Sequence, residues 1–320
     1  MMPEEYTAER GAETAVEARS LTKAYGKVTG VADVNLTIAA GEVMALVGAN
    51  GAGKTTLMRT LLDLIRPTSG SITVFGHSTT RESVQARHLC SYLPGDFVIP
   101  PRLTGYQAIR RYSFTRSGMH PGRIDELAAR LDVDLSRRVG DLSKGNRQKI
   151  GLVLAFAPAA RLVVLDEPTS GLDPLLQRTF ATLVSEAVGR GSTVLLSSHV
   201  MSEVQQIADR VILLRNGSVA VVDDVSNLLV RSRRRAQVRP AHPSDIAAIA
   251  EGLARINAVT DVRAGESLVT FAHAGSIDPV LKFVASFEVE SLDLAHADLD
   301  DAFFFGQSGD APPSAVVPTS

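Results

Sequence analysis

The chain has 320 residues, a formal net charge of −2, 45% apolar and 21% charged side chains, and one cysteine. At about 100–200 residues per domain, that length allows two domains with real cores. The charge balance excludes a broadly basic surface for nucleic acid or anionic lipid, and the lone Cys90 excludes an internal disulfide framework or a Cys-built zinc site.

Residues 1–15 (MMPEEYTAERGAETA) are acidic and polar, without the apolar core of a signal peptide, and read as a disordered lead-in. From Val16 to Val225 short strands alternate with helices, the pattern of an α/β domain. The strand-like runs are Val34 to Ile38, Val43 to Val47, Ser71 to Phe75, Leu162 to Leu165, Thr193 to Ser197 and Arg210 to Leu214. Those at 43–47, 162–165 and 193–197 are rich in consecutive apolar residues, as in a parallel sheet covered on both faces. Helices are expected at Lys54 to Leu64, Pro174 to Val188 and Met201 to Ala208, with a helical insertion over about 97–160. The longest apolar stretch, Gly151 to Leu165, contains Pro158 and Arg161, so it falls short of the roughly 20 apolar residues of a spanning helix. By itself the chain reads as soluble and cytoplasmic.

Arg231-Ser232-Arg233-Arg234-Arg235 reads as a solvated linker near a domain boundary, or as a contact for lipid phosphates or a partner. Residues 236–305 read strand, helix, strand, strand, helix, strand and a short helix with Phe303-Phe304-Phe305, a small α+β domain of ferredoxin-like size. The rest, 306–320, is a Pro- and Ser-rich tail expected to be disordered.

Two motifs carry chemistry. Gly48-Ala49-Asn50-Gly51-Ala52-Gly53-Lys54-Thr55 matches GxxxxGK[ST], the P-loop, and Thr56 continues it into the helix. Phosphate oxygens must reach consecutive backbone N–H groups, and a Cβ would obstruct that turn. Lys54 suits the β- and γ-phosphates, the Thr55 hydroxyl suits Mg²⁺, and the helix N-terminus favours the anion. The second motif is Leu162-Val163-Val164-Leu165-Asp166-Glu167, a buried strand ending in two carboxylates. Asp166 is placed to hold Mg²⁺ through its water shell, and Glu167 to serve as the base or orienting group for an attacking water.

The order of these and three further segments resembles the nucleotide-binding subunits of ABC transporters across residues 18–225. Leu142-Ser143-Lys144-Gly145-Asn146-Arg147-Gln148 resembles their LSGGQ signature, Ser170-Gly171-Leu172-Asp173 their D-loop, and His199 after Ser197-Ser198 their switch histidine. Tyr25 lies in the A-loop position, where it is either an aromatic for adenine stacking or a plain surface residue. The resemblance implies a P-loop NTPase fold of ABC type with a helical subdomain, ATP and Mg²⁺ as cofactors, and Lys54, Glu167 and His199 as catalytic groups. It implies a head-to-tail dimer in which Ser143 and Gly145 cover the ATP held by the other subunit, with Asp173 at the seam. A separate membrane-spanning permease and a second ATPase subunit are the partners; no nucleic acid is expected. The chain then sits at the cytoplasmic face of the cell membrane.

Two departures stand out. Lys144 and Asn146 replace the consensus Gly and Gln of the signature. The usual Tyr-Leu-Pro-Gln becomes Tyr92-Leu93-Pro94-Gly95-Asp96, and Asp96 is the candidate metal ligand in place of the glutamine. These variants, with the C-terminal module ending in Leu299-Asp300-Asp301-Ala302-Phe303-Phe304, resemble drug and antibiotic exporters. The competing readings are a soluble ABC ATPase acting on ribosomes or DNA, disfavoured by the single nucleotide domain and the missing heptads, and a regulatory module without turnover.

Overall fold

A computed structural model of the chain describes residues 13–113, 119, 121–231 and 234–294. The expected short helix at Phe303–Phe305, the tail and residues 1–12 of the lead-in lie outside the described residues. The chain divides into two compact units between Asp223 and Asp224, ahead of the basic run expected to mark the boundary.

The first unit opens on two long strands, β1 (Thr14–Tyr25) and β2 (Val28–Ala39). Thr14 and Ala15 belong to β1 rather than to the lead-in, because Ala15 is fully buried. There follow β3 (Val43–Val47), α1 (Lys54–Leu61), β4 (Ser69–Val74), β5 (His77–Ser78), α2 (Ser83–His88) and β6 (Cys90–Leu93). The helical insertion supplies α3 (Gly105–Ser113), α4 (Pro121–Arg130) and α5 (Lys144–Phe156). The unit closes with β7 (Leu162–Asp166), α6 (Pro174–Gly189), β8 (Thr193–Ser198), α7 (Met201–Ile207), β9 (Arg210–Arg215) and β10 (Ser218–Asp224).

These strands form two sheets. One has the order β2-β1-β4-β5 with antiparallel pairing, the other β10-β9-β3-β8-β7-β6. In the second sheet β9, β3, β8, β7 and β6 run parallel, and every residue of β3, β7 and β8 is buried. Burying each Val or Leu in such strands contributes about 1.5–3 kcal/mol, so the strands carrying the two motifs are a rigid floor. Their C-terminal ends lie side by side in the pairing Val47 with Ser198 and Asp166 with Ser197. In open α/β sheets ligands collect at such strand ends.

The insertion is helical among its described residues, apart from a short bridge between Thr104 and Arg138. Leu127, Leu131, Leu135 and Val139 form its buried seam. Arg130 on α4 meets Glu186 on α6 in a two-pronged pair at 2.8 and 2.7 Å, which fastens the insertion to the sheet's helical cover. The Arg130 guanidinium holds the Glu186 carboxyl below its usual range.

The second unit contains α8 (Val225–Arg231), β11 (Arg234–Pro240), α9 (Ile246–Ala254), β12 (Val259–Ala264), β13 (Val269–His273), α10 (Asp278–Val284) and β14 (Val289–Leu294). The basic run is therefore not simply a linker: Arg231 ends a helix and Arg234-Arg235 begin a strand, while Ser232 and Arg233 lie outside the described residues. The strand order β12-β13-β11-β14, antiparallel throughout, is that of a ferredoxin-like βαββαβ sheet. Val238, Ile249, Leu253, Val269 and Val280 form its core.

Candidate active site

The loop between β3 and α1 is shaped by glycine. Gly53 has φ +105°, and a Cβ there would strike the Gly30 carbonyl on β2. A Cβ on Gly48 would strike the Leu214 carbonyl on β9. The loop thus turns where no side chain fits; the Ala52 N–H closes it onto the Ala49 carbonyl at 3.0 Å, and the remaining N–H groups are placed for an anion. Lys54 begins α1 and is only 6% exposed; its Nζ donates to the carbonyls of Gly48 at 2.7 Å and Ala49 at 3.3 Å. The ammonium is thereby aimed back over the loop, within 4.0 Å of Glu167 Oε1.

β7 delivers the carboxylates. Asp166 is 2% exposed and sits between two hydroxyls: Thr55 Oγ1 donates to one carboxylate oxygen at 2.8 Å and Ser197 Oγ to the other at 2.6 Å. The chain turns sharply at the next residue, where Glu167 has φ +48°. That conformation costs a non-glycine residue about 1–3 kcal/mol and persists only where the surroundings enforce it. It points the Glu167 carboxylate at His199, whose Nδ1 lies 3.3 Å from Oε2. Gln148 on α5 donates to the Pro168 carbonyl at 3.1 Å, supporting the same turn from below.

Tyr25 ends β1 and is half exposed. Gly30 separates its ring from Thr56 so narrowly that a Cβ on Gly30 would lie 3.0 Å from the ring and 2.9 Å from the threonine methyl. The aromatic face therefore stands beside the start of α1. Lys23 Nζ lies 5.0 Å from the ring centre, a cation–π contact that steadies it.

Ser143 caps α5 by accepting from the Asn146 N–H at 3.2 Å, and Asp173 caps α6 by accepting from the Leu176 N–H at 3.0 Å. Gly145 packs on the Gly171 carbonyl, 2.8 Å from where its Cβ would be. The two segments are thus joined to each other, with Ser143, Gly171 and Asp173 exposed and Gly145 half-buried. Among the described residues no hydrogen bond links Ser143, Gly145 or Asp173 to the 48–56 loop.

The Asp96 side chain turns away from Thr55 and Asp166. Gly95 is the residue that passes over Asp166, 3.4 Å from its carbonyl oxygen by the position of an added Cβ. The chain then turns outward, leaving the Asp96 side chain 95% exposed with Arg59 at 4.0 Å. Asp96 instead edges a cavity of about 350 Å³ lined by Tyr92, Phe97, Val98, Tyr112 and Leu154. Tyr92 connects that cavity to the catalytic strands: burial, then the Asp166 charge, push its phenol up from the ordinary value. Among the described residues no group of three or more His, Cys, Asp and Glu side chains could hold a metal. The hard oxygens that lie together at this strand end are the Thr55 hydroxyl and the Asp166 carboxylate. Ser197 and Gln148 were named in the sequence only as members of motifs, and Glu203 not at all; the structure brings them against Asp166, the Pro168 carbonyl and Thr169.

A phosphate cradle, a buried strand-end carboxylate and a glutamate paired with histidine across parallel strands define a P-loop nucleotide hydrolase. The family profile described as ABC transporter matches residues 31–170. The chain is 36% identical over 199 residues to the ABC transporter ATP-binding protein NatA of Bacillus subtilis, covering 60% of this chain and 80% of that one. It is 32% identical over 231 residues to the bacitracin transport ATP-binding protein BcrA of Enterococcus faecalis, covering 69% and 73%. Against the daunorubicin resistance ATP-binding protein DrrA3 of Streptomyces coeruleorubidus it is 35% identical over 213 residues, covering 65% and 67%. A solved ATP-binding subunit of an ABC transporter superposes with a TM-score of 0.62 at 28% identity, covering 67% of this chain and 92% of that one. The chain belongs to the ATP-binding proteins of ABC transporters, and is an ATPase of that family.

Proposed function

We propose that the chain is the motor subunit of an exporter, hydrolysing ATP in a head-to-tail pair to drive a drug-like or lipophilic solute through a separate membrane-spanning permease. The observation that carries the hydrolytic part is the Glu167–His199 pair at 3.3 Å, set beside Lys54 and the Asp166–Thr55 hydrogen bond. The first unit is the motor and the second an appended module.

In this reading Lys54 and the N–H groups of residues 48–56 bind the phosphates, and Tyr25 stacks on the adenine. Thr55 and Asp166 offer two hard oxygens 2.8 Å apart, a set that fits Mg²⁺, which when bound would neutralise phosphate charge. Glu167 takes the proton of the attacking water, and His199 orients that carboxylate. The exposed Ser143 and Asp173 and the half-buried Gly145 meet the nucleotide of the second subunit. The exposure of Ser143 and Asp173 supports that role, and so does the apolar Leu175, 73% exposed, on the same edge.

Export is favoured by the relatives named for bacitracin transport and daunorubicin resistance, with which this chain shares its motor. The cavity at Phe97 and Val98, the latter 78% exposed, is the surface suited to a permease segment. Among the described residues no helix is long and apolar enough to cross a membrane, and in this reading a separate permease supplies the spanning segments. With its permease co-expressed, the tagged protein should fractionate with membranes, and inverted vesicles should accumulate solute on ATP addition. Recovery with ribosomes instead would reverse the assignment.

Tyr25→Ala should raise KM for ATP about tenfold with kcat nearly unchanged, the result of losing one stacked base contact. Tyr25→Phe should behave as the parent. An unchanged KM in the alanine variant removes the stacking role.

A further inference from the structure

We propose that Ser197 and Glu203 are positioning residues for hydrolysis, together bracing the Glu167–His199 pair against Asp166. The inference rests on the reading of Glu167 as the group that activates water.

β8 ends in two serines, and successive strand side chains leave opposite faces. Ser197 lies beside Asp166 in the strand register and is fully buried. Its hydroxyl donates to Asp166 Oδ1 at 2.6 Å and accepts from the Glu167 N–H at 2.9 Å. One hydroxyl therefore fixes the rotation of the Asp166 carboxylate and the peptide at which the chain enters its φ +48° turn. Removing it leaves a buried carboxylate oxygen and a partly buried N–H each short of a partner, so both groups would rotate in search of one. The reacting carboxylate moves with them.

Ser198 works from the other face. The Glu203 carboxylate on α7 accepts from Thr169 Oγ1 at 2.6 Å and from Ser198 Oγ at 3.3 Å. Ser198 Oγ in turn accepts from the Val200 N–H at 2.9 Å. Glu203 thus ties the segment just past Glu167 to the residue just before His199. Among the described residues its hydrogen bonds are with those two hydroxyls and not with a cation. The Thr169 bond at 2.6 Å is the strong, charge-assisted kind, and the longer Ser198 bond at 3.3 Å completes the link across the gap that the Glu167–His199 contact has to keep. Catalytic geometry tolerates little looseness, and a shift of about 1 Å can cost about 100-fold in rate.

The test uses the full chain, with three readouts: steady-state hydrolysis, affinity for ATP without divalent cation, and thermal unfolding. Ser197→Ala and Glu203→Ala should each lower kcat about tenfold or more, with KM and ATP affinity within about threefold of the parent. Glu203→Gln, whose amide oxygen accepts the same two bonds, should recover most of the rate. In a Glu167→Gln background neither alanine variant should cause further loss, because all act through one group. Parental kcat in both alanine variants, with only a lower unfolding midpoint, overturns the brace and leaves a purely structural role. So does an undiminished further loss in the Glu167→Gln background. If Ser197→Ala does not fold, the partly exposed Glu203 position and its glutamine variant decide the matter. Parental hydrolysis by Glu167→Gln alone would instead sink the reading of Glu167, whatever the brace variants show.

Discussion

Glu167→Gln should bind ATP as the parent does and hydrolyse it about 10²–10⁴-fold more slowly. The substitution keeps shape and leaves an oxygen to face His199, but an amide cannot take a proton from water. The φ +48° turn is set by the backbone and by Ser197, so the variant keeps the local fold. Binding without turnover then traps whatever state ATP favours. Size-exclusion chromatography should show a dimer with ATP and a monomer with ADP, whereas the parent should return to monomer as its ATP is consumed. A variant that turns over at the parental rate would show that the water is activated elsewhere.

Lys54→Ala should lose nucleotide binding and hydrolysis together, with the rate at fixed ATP down about 10²-fold or more. The side chain is 6% exposed and its Nζ is held at 2.7 Å from the Gly48 carbonyl, so its charge acts in a site largely screened from water. Removing it strips the loop of its only full positive charge while leaving the backbone cradle in place. Lys54→Arg should not restore activity: the planar guanidinium spreads its charge over a fork and cannot direct a single point charge at the phosphates. Equilibrium binding of a fluorescent ATP analogue measures the effect, and an unchanged unfolding midpoint separates it from misfolding. Wild-type affinity in the alanine variant would mean that the backbone N–H groups alone hold the ligand.

The parts of the fold readable from sequence are those where one physical demand leaves few residue choices. A turn that admits no Cβ selects Gly48 and Gly53, and a strand buried on both faces selects Leu162 to Leu165. The β1 strand was harder to see. Val16 and Ala18 point inward, but Ser20 sits at φ +45° in a register shift, after which Leu21 is the inward residue. The bulge breaks the period of two on which strand recognition depends. The direction of Asp96 was hidden for a related reason: spacing places a residue near a strand end but does not say which way its side chain leaves the turn. Ser197 and Glu203 were hidden because a serine at a strand end and a glutamate in a first helical turn are ordinary, and only their mutual distances mark them. The order of elements in the second unit was legible from alternation, whereas the strand order β12-β13-β11-β14 comes from pairing that no local pattern encodes.

The phosphate loop is wedged between two sheets, with Gly53 against β2 of one and Gly48 against β9 of the other. It is therefore a keystone and not a portable part. Residues 48–56 transplanted onto another strand and helix would carry the motif but not the carbonyls of Gly30 and Leu214 that press it into shape. A shortened protein lacking the β1–β2 ribbon would lose Tyr25 but keep Lys54, Asp166, Glu167 and His199. It would still lose the wall that holds the loop closed on one side. Minimal designs built on this motor have to retain both sheets, although the chemistry sits on only one.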